Sequence, residues 1–368
     1  MAESPTLETF SPPSKRRMAL PRMQEAGLLV VVLILGSFLT AYGYHDAAPG
    51  RANTFFNLDN LVDGIATPMS VYAIMAVGQT AVIITGGIDI SVGSIFALSA
   101  LAAAGAVQQG ENDVPYSATH ALLIVISVGL GVGLACGLLN GILVTGLRMH
   151  PFIVTLGTMS IFRGMANVAT VVKTLPSQGM DLPDSFTTDL FQRYFFQNAN
   201  GTGGIQIMPM LVMLVVVAVG WFYFRLTIGG RLQYAVGGNE EAARFSGLRV
   251  NRIKLRVYAL SGLSAGIAGV VSLGRFGTAS SNTGTGYELT VIAAAVVGGA
   301  SLTGGRGTAL GALLGALIIR IIESGILTLH WNQEYSQIII GSAIIVAVGV
   351  DRLSEYFRNR RLAKIGRG

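Results

Sequence analysis

The side chains able to do chemistry are few, and they sit in apolar surroundings. Asp89 lies in the turn Thr85-Gly86-Gly87-Ile88-Asp89-Ile90-Ser91-Val92-Gly93, between two apolar runs. A carboxylate there is placed to cap the following helix, accepting hydrogen bonds from its first free amides. A carboxylate at a membrane edge also keeps an ion-coupling role open. Arg163 and Arg320 fall inside apolar runs, and Glu323 follows Arg320 by three residues on the same helical face. An intramembrane charge costs at least about 2.5 to 3.5 kcal/mol at mid-depth, so these groups must face one another or a wet cavity. That leaves two readings, a self-neutralising Arg320–Glu323 pair or a pathway lining. Asn140 and Asn167 stand in glycine- or alanine-rich runs, where an amide either binds a hydroxylated solute or bonds across helices.

Enzymatic chemistry finds little support. No G-x-x-x-x-G-K-[ST] run occurs, and none of Lys15, Lys173, Lys254 and Lys364 follows a glycine, so the phosphate-cradling loop of an ATPase is missing. No H-E-x-x-H run occurs either. The single cysteine, Cys136, sits in an apolar run as a small packing residue, and four scattered histidines offer no metal-ligand spacing. The sequence reads as a conduit without a catalytic site, a cofactor or a metal of its own.

The elements that must position these residues follow from composition. The chain has 368 residues, 51% hydrophobic and 12% charged, with a mean hydropathy of +0.60. An ordinary soluble domain carries about twice that charge, so the solvent of this chain is mostly lipid. The net charge of +6 does not point to nucleic acid, because the basic residues are segregated by segment rather than interleaved with aromatics. Runs long enough to cross a hydrocarbon core occupy residues 26–44, 68–85, 88–107, 121–147, 151–172, 207–224, 257–273, 287–302, 307–327 and 335–350. The expected fold is therefore an all-α, multi-pass membrane bundle of about ten transmembrane helices, the first of them retained rather than cleaved.

Most of the 25 Lys and Arg residues fall on one side of such an arrangement. The positive-inside pattern puts both termini in the cytoplasm. The expected organisation is a polar tail over 1–23, a permease domain over 24–350 and a basic cytoplasmic tail over 351–368. Within the permease domain, 225–256 is a cytoplasmic loop and 173–205 an external one carrying Asp181, Asp184 and Asp189.

Glycine is abundant, 48 residues, and lipid gives apolar helices no drive to associate, so close backbone approach must supply it. Gly129, Gly133, Gly137 and Gly141 repeat every four residues, as do Gly307, Gly311 and Gly315, and Gly262 and Gly266 form a shorter pair. These are expected to be packing seams. The turn at 85–93 and the stretch Gly298-Gly299-Ala300-Ser301-Leu302-Thr303-Gly304-Gly305 share a glycine-pair pattern that hints at an internal duplication. In the 225–256 loop, residues 237–247 predict a short helix with Asn239 as cap and Gly247 as stop. Glu240 and Arg244, four apart, are spaced to pair. So stiff an insert suits a push-rod for a partner.

Four stretches together carry a family resemblance: Thr85 to Ser94, His150-Pro151-Phe152-Ile153-Val154-Thr155-Leu156-Gly157-Thr158-Met159, the 237–247 segment, and Gly284-Thr285-Gly286-Tyr287-Glu288-Leu289 running on to the 297–305 turn. The chain resembles the membrane permeases of bacterial ABC sugar importers, the branch serving ribose, xylose, arabinose, galactose and related compounds. The likeness spans about residues 65 to 350; the proline-bearing head and the aromatic- and glycine-rich stretch 191–204 depart from it.

The resemblance implies a pathway for a monosaccharide such as ribose, in the bacterial inner membrane. Its partners would be an ABC ATPase subunit that uses ATP, a periplasmic or extracellular sugar-binding protein, and a second permease chain forming a homodimer. It also implies that Gly237, Gly238, Asn239, Glu240, Ala242, Ala243, Ser246 and Gly247 form the segment that seats in the ATPase.

Other expectations compete. The same machinery serves nucleosides, branched-chain amino acids and autoinducer-type sugars, and fold alone does not choose among them. A proton- or sodium-driven transporter would need Asp89 or Glu323 as its titrating or cation-binding group. An intramembrane enzyme has no nucleophile–base set.

Overall fold

A peptide group in lipid has no water to bond, so a chain this apolar must close its backbone hydrogen bonds within helices. The computed structural model describes residues 21–46, 53–110, 116–169, 174–195, 204–343, 345, 346 and 349. The expected tail 351–368 lies outside the described residues, as does the head up to residue 20 and the part of the 191–204 stretch from 196 to 203. The helices are α1 (Pro21–Asp46), α2 (Thr67–Ile84), α3 (Val92–Val107), α4 (Ala118–Gly146), α5 (Pro151–Ala169), α6 (Met208–Leu226), α7 (Ile228–Gly238), α8 (Glu240–Phe245), α9 (Val250–Phe276), α10 (Tyr287–Val297) and α11 (Ala309–Thr328). A further helical stretch begins at residue 335. All ten apolar runs thus become helices, and the fold is an all-α polytopic bundle. Four two-residue strands, β1 (Gln109–Gly110), β2 (Thr174–Leu175), β3 (Met180–Asp181) and β4 (Ala279–Ser280), pair as β1–β3 and β2–β4 and tie the 174–195 loop to the bundle.

Among the described residues, six helices are long and apolar enough to cross a membrane: α1, α2 with its π-helical lead Asn60–Ala66, α4, α6, α9 and α11. Two expected spans are shorter than their apolar runs. α3 begins only at Val92 rather than Ile88, and α10 stops at Val297 rather than Leu302. At 1.5 Å per residue they rise about 24 and 16 Å, less than the ~30 Å hydrocarbon thickness. The cause is local: the irregular link around Asp89 delays α3, and the turn at Gly298 and Gly299, with positive φ at Gly299, ends α10 where hydropathy alone sees no interruption.

α9 is the central element, packed against α2, α3 and α4. Its seam with α4 is the predicted glycine ladder. A Cβ added at Gly133 would collide with the Gly262 carbonyl and lie 2.8 Å from Gly266 Cα; one at Gly137 would lie 3.0 Å from Gly262 Cα, and one at Gly141 would sit 3.0 Å from Leu255 Cα. Backbone therefore lies on backbone, as small-residue packing in membranes requires. The opposite face of α4 exposes Leu123, Ile126 and Ile142, which suits lipid.

The second ladder needs a correction. Gly311 and Gly315 do pack against Gly298 and Ala294 of the α10 end. Gly307 is not helical: its φ of 150° precedes the helix, which Thr308 caps by accepting a bond from Gly311 N at 2.9 Å. Four-residue spacing describes a helix face only where the backbone is helical.

The α4–α9 contact yields a paired test. Gly131 faces open space. Gly131→Leu should therefore leave the melting temperature in detergent unchanged, whereas Gly133→Leu, overpacking a backbone contact, should cost about 1–3 kcal/mol and abolish monodisperse recovery on gel filtration. Equal behaviour of the two variants would remove the seam from the account.

Candidate functional site

Three polar regions interrupt the apolar bundle. The first is built on Asp89, which is fully buried in the irregular link between α2 and α3. Its Oδ1 accepts from Ser91 N at 3.0 Å and from Ser91 Oγ at 2.6 Å, and its Oδ2 accepts from Ser261 Oγ of α9 at 2.9 Å. Asn140 of α4 donates through Nδ2 to Ser91 Oγ at 2.7 Å. Gln79 of α2, with its amide turned to match, exchanges two 3.2 Å bonds with the Asp89 backbone. The expected cap is not formed, since Ser91 and not Asp89 is the residue before α3 and no side chain there accepts from the first helical amides. The carboxylate joins α2, the link, α4 and α9. Asn140, expected as a pathway residue, is sealed in this node with no exposure.

The second region is the α7–α8 unit. Thr227 caps α7 by accepting from Gly230 N at 3.0 Å. At the far end of α7, Gly237 has no room for a side chain, with Gly305 N 2.6 Å from the position a Cβ would take and the Ile84 carbonyl nearer still. Gly305 N itself donates to Ile84 O at 2.8 Å. The two glycine-rich turns that resemble each other in sequence therefore meet beside Gly237. Gly238 closes α7, and Asn239 turns extended and caps α8, its side chain accepting from Ala242 N at 2.9 Å. Gly247, at φ 80°, ends it, as the sequence indicates.

Within α8, Ala243 is buried against Val236, Val250 and Ile253, while Ala242 and Ser246 are exposed. Glu240 accepts from Arg244 at 2.9 Å and from Lys254 of α9 at 2.7 Å. Partial burial pushes its carboxyl up, and the two cations outweigh that, holding it below the ordinary carboxylate value. Phe245 stands 91% exposed. Sequence reasoning missed it, because nothing in spacing tells which way a side chain points from so short a helix, and also missed Lys254, which lies 14 positions from Glu240 on another helix.

The third region lies along α5, α10 and α11. Arg163 donates through Nη1 to the carbonyls of Ser281 and Thr283, both at 2.8 Å. Asn167, one turn further on, is exposed. Arg320 and Glu323 form the expected pair at 2.7 Å, and Arg320 Nε also reaches Gly64 O at 2.9 Å. The pair lines a polar cavity of about 340 Å³ with Tyr72, Gln333, Glu334 and Gln337. The self-neutralising pair is therefore formed, and it borders a cavity. Arg163 and the Arg320–Glu323 pair belong to separate surroundings.

The Asp89 node predicts a graded response. Asp89→Ala strands two hydroxyls, each worth about 1–3 kcal/mol when buried without a partner, and should lower the melting temperature by several degrees. Asp89→Asn keeps an acceptor for Ser91 and should lose less than half as much. Equal losses in thermal melts of the two variants would mean that the carboxylate is not what ties the helices.

A family profile described as branched-chain amino acid transport system / permease component matches residues 61–348. The ribose import permease of Escherichia coli (strain K12) is 39% identical over 299 residues, 81% of this chain and 87% of its own. The ribose import permease of Bacillus subtilis (strain 168) is 38% identical over 296 residues, 80% of this chain and 84% of its own. The galactose/methyl galactoside import permease of E. coli (strain K12) is 35% identical over 350 residues, 94% of this chain and 98% of its own. Glycine seams, half-length helices and a stiff exposed α8 are thus features of a transport protein, and the chain belongs to the branched-chain amino acid transport system / permease component family.

Proposed function

We propose that this chain is the permease of an ABC importer for a monosaccharide, and that α8 is the piece a separate ATPase subunit grips. The observation that carries the reading is the shape of α8. It is capped by Asn239, pinned to α9 through Glu240–Lys254, and presents Phe245 fully to its surroundings. A pinned helix cannot absorb a push, so a force on it reaches α7 and α9. An exposed aromatic on a rigid support is the usual anchor of a protein interface.

In this reading the α7–α8 unit and both termini face the cytoplasm, in the inner membrane. The chain binds no cofactor; the ATPase uses the ATP. Two permease chains form the pathway, and an external sugar-binding protein delivers the cargo. Relatives matching over most of the chain are named for ribose and galactose, which favours a neutral polyol over a zwitterionic amino acid.

Reconstitution tests this. In liposomes with its ATPase and binding protein, the chain should accumulate a monosaccharide only with ATP, and alone it should accumulate nothing even under an ion gradient. Ion-driven accumulation would defeat the proposal. Phe245→Ala should weaken ATPase association by roughly 30-fold, the factor for losing a ~2 kcal/mol interface anchor, with the melting temperature unchanged. A reporter fused after Arg249 should read as cytoplasmic.

A further inference from the structure

The segment between α9 and α10 runs at a depth where its backbone should not be bare. α3 serves as a ruler. Near its end, Gly105 faces Leu175, which pairs with Ala279 in the β2–β4 ladder. Near its start, Gly93 abuts the Gly284 carbonyl and the Glu288 carboxylate, 2.7 and 2.6 Å from where a Cβ would stand. The twelve residues between those glycines span about 18 Å of helix. Residues 279–284, folded into a turn by Thr283 N on Ser280 O at 3.0 Å, cover part of that distance alongside α3 and reach the level of Gly93 inside the bundle.

Along this descent Asn282, Thr285 and Gly286 are exposed. Irregular backbone at membrane depth is tolerated only where protein covers it or water wets it. The neighbouring irregular stretch, 85–91, is covered. This one is covered on a single side, where Arg163 holds the carbonyls of Ser281 and Thr283. At its foot Glu288 Oε2 is buried and bonds nothing among the described residues. Beneath it Tyr287 packs edge-on to Tyr72, with ring centres 4.8 Å apart.

We propose that the open side faces the aqueous pathway and that Asn282, Thr285 and Glu288 make the contacts with the transported solute, with Arg163 as the residue that positions them. An amide, a hydroxyl and the Glu288 carboxylate, whose Oε2 is sealed against Gly93 and whose other oxygen is left to a solute, beside aromatic rings, suit the hydroxyls and C–H faces of a neutral sugar. The ligand class rests on the monosaccharide reading above. The placement in the pathway does not.

The single cysteine makes the test direct. In a Cys136→Ala background, N282C and T285C should react in reconstituted vesicles with a charged, membrane-impermeant methanethiosulfonate, and the reaction should lower ATP-driven monosaccharide uptake at least about tenfold by filling a pathway. Val215→Cys, on an exposed apolar face of α6, should stay unlabelled. Glu288→Gln should lower uptake about tenfold, the value of one hydrogen bond to an ionised acceptor, with ATPase association unchanged.

Absence of labelling in vesicles whose parent chain transports would overturn the proposal. So would a T285C–T285C disulfide between two copies that excludes the reagent, since the stretch would then be a subunit contact. Labelling without loss of uptake would overturn it as well. If the parent moves no monosaccharide while labelling persists, the sugar reading falls and the ligand named here falls with it, whereas the aqueous placement is supported.

Discussion

Each peptide group within the hydrocarbon layer must bond inside the protein or meet water in a cavity, and the arrangement of this molecule follows from that demand. The long helices meet it by themselves. α3 and α10 do not, because the link at Asp89 delays the one and the turn at Gly299 ends the other, and a bare stretch of chain adjoins each at depth. For residues 85–91 the answer is a ring of side chains from α2, α4 and α9 around Asp89. Those side chains reach only if the three helices lie close, and the glycine contacts of α4 with α9 provide the closeness. For residues 277–286 the answer is Arg163 on one side and, in our reading, water on the other.

What the sequence made legible follows the range of the physics involved. Apolar run length is a local property, so the helices are visible. Capping is local too, and Asn239, Gly247 and the Glu240–Arg244 pair are where spacing puts them. The bonds that make Asp89 a junction join residues 51 and 172 positions away, and no local pattern announces them. The truncation of α3 is hidden because Ile88 and Ile90 keep the run apolar while Asp89 and Ser91 break the helix. Gly307 was misread for a related reason: its spacing matches a ladder, and its backbone does not. The outward aim of Phe245 is decided by the burial of Ala243 against α7 and α9, a tertiary fact.

These contacts divide the bundle by the kind of bond that holds it. α2, α3, α4 and α9 are joined by the Asp89 node and by backbone against backbone. α10 and α11 are joined by Gly311 and Gly315 against Gly298 and Ala294. At the boundary between the groups α2 packs against α10 and α11, and the polar ties are Gly305 N on Ile84 O, Arg320 Nε on Gly64 O, Ser324 Oγ on Asn60 Oδ1 and, by way of α5, Arg163 on two carbonyls.

The boundary is also where α7 ends. Gly237 is wedged between Ile84 of one group and Gly305 of the other, with α8 directly beyond it. A partner that shifts α8 therefore acts at the joint between the groups and not within either. If, as we propose, an ATPase grips α8, it must hold α8 more tightly in one arrangement than in the other for nucleotide to drive such a shift, because equal affinity for both would move nothing. The polar descent 281–286 connects α9 of the first group to α10 of the second. A change at the joint must alter the width of the path beside it, so the segment that we place against the solute is also the segment that the movement deforms.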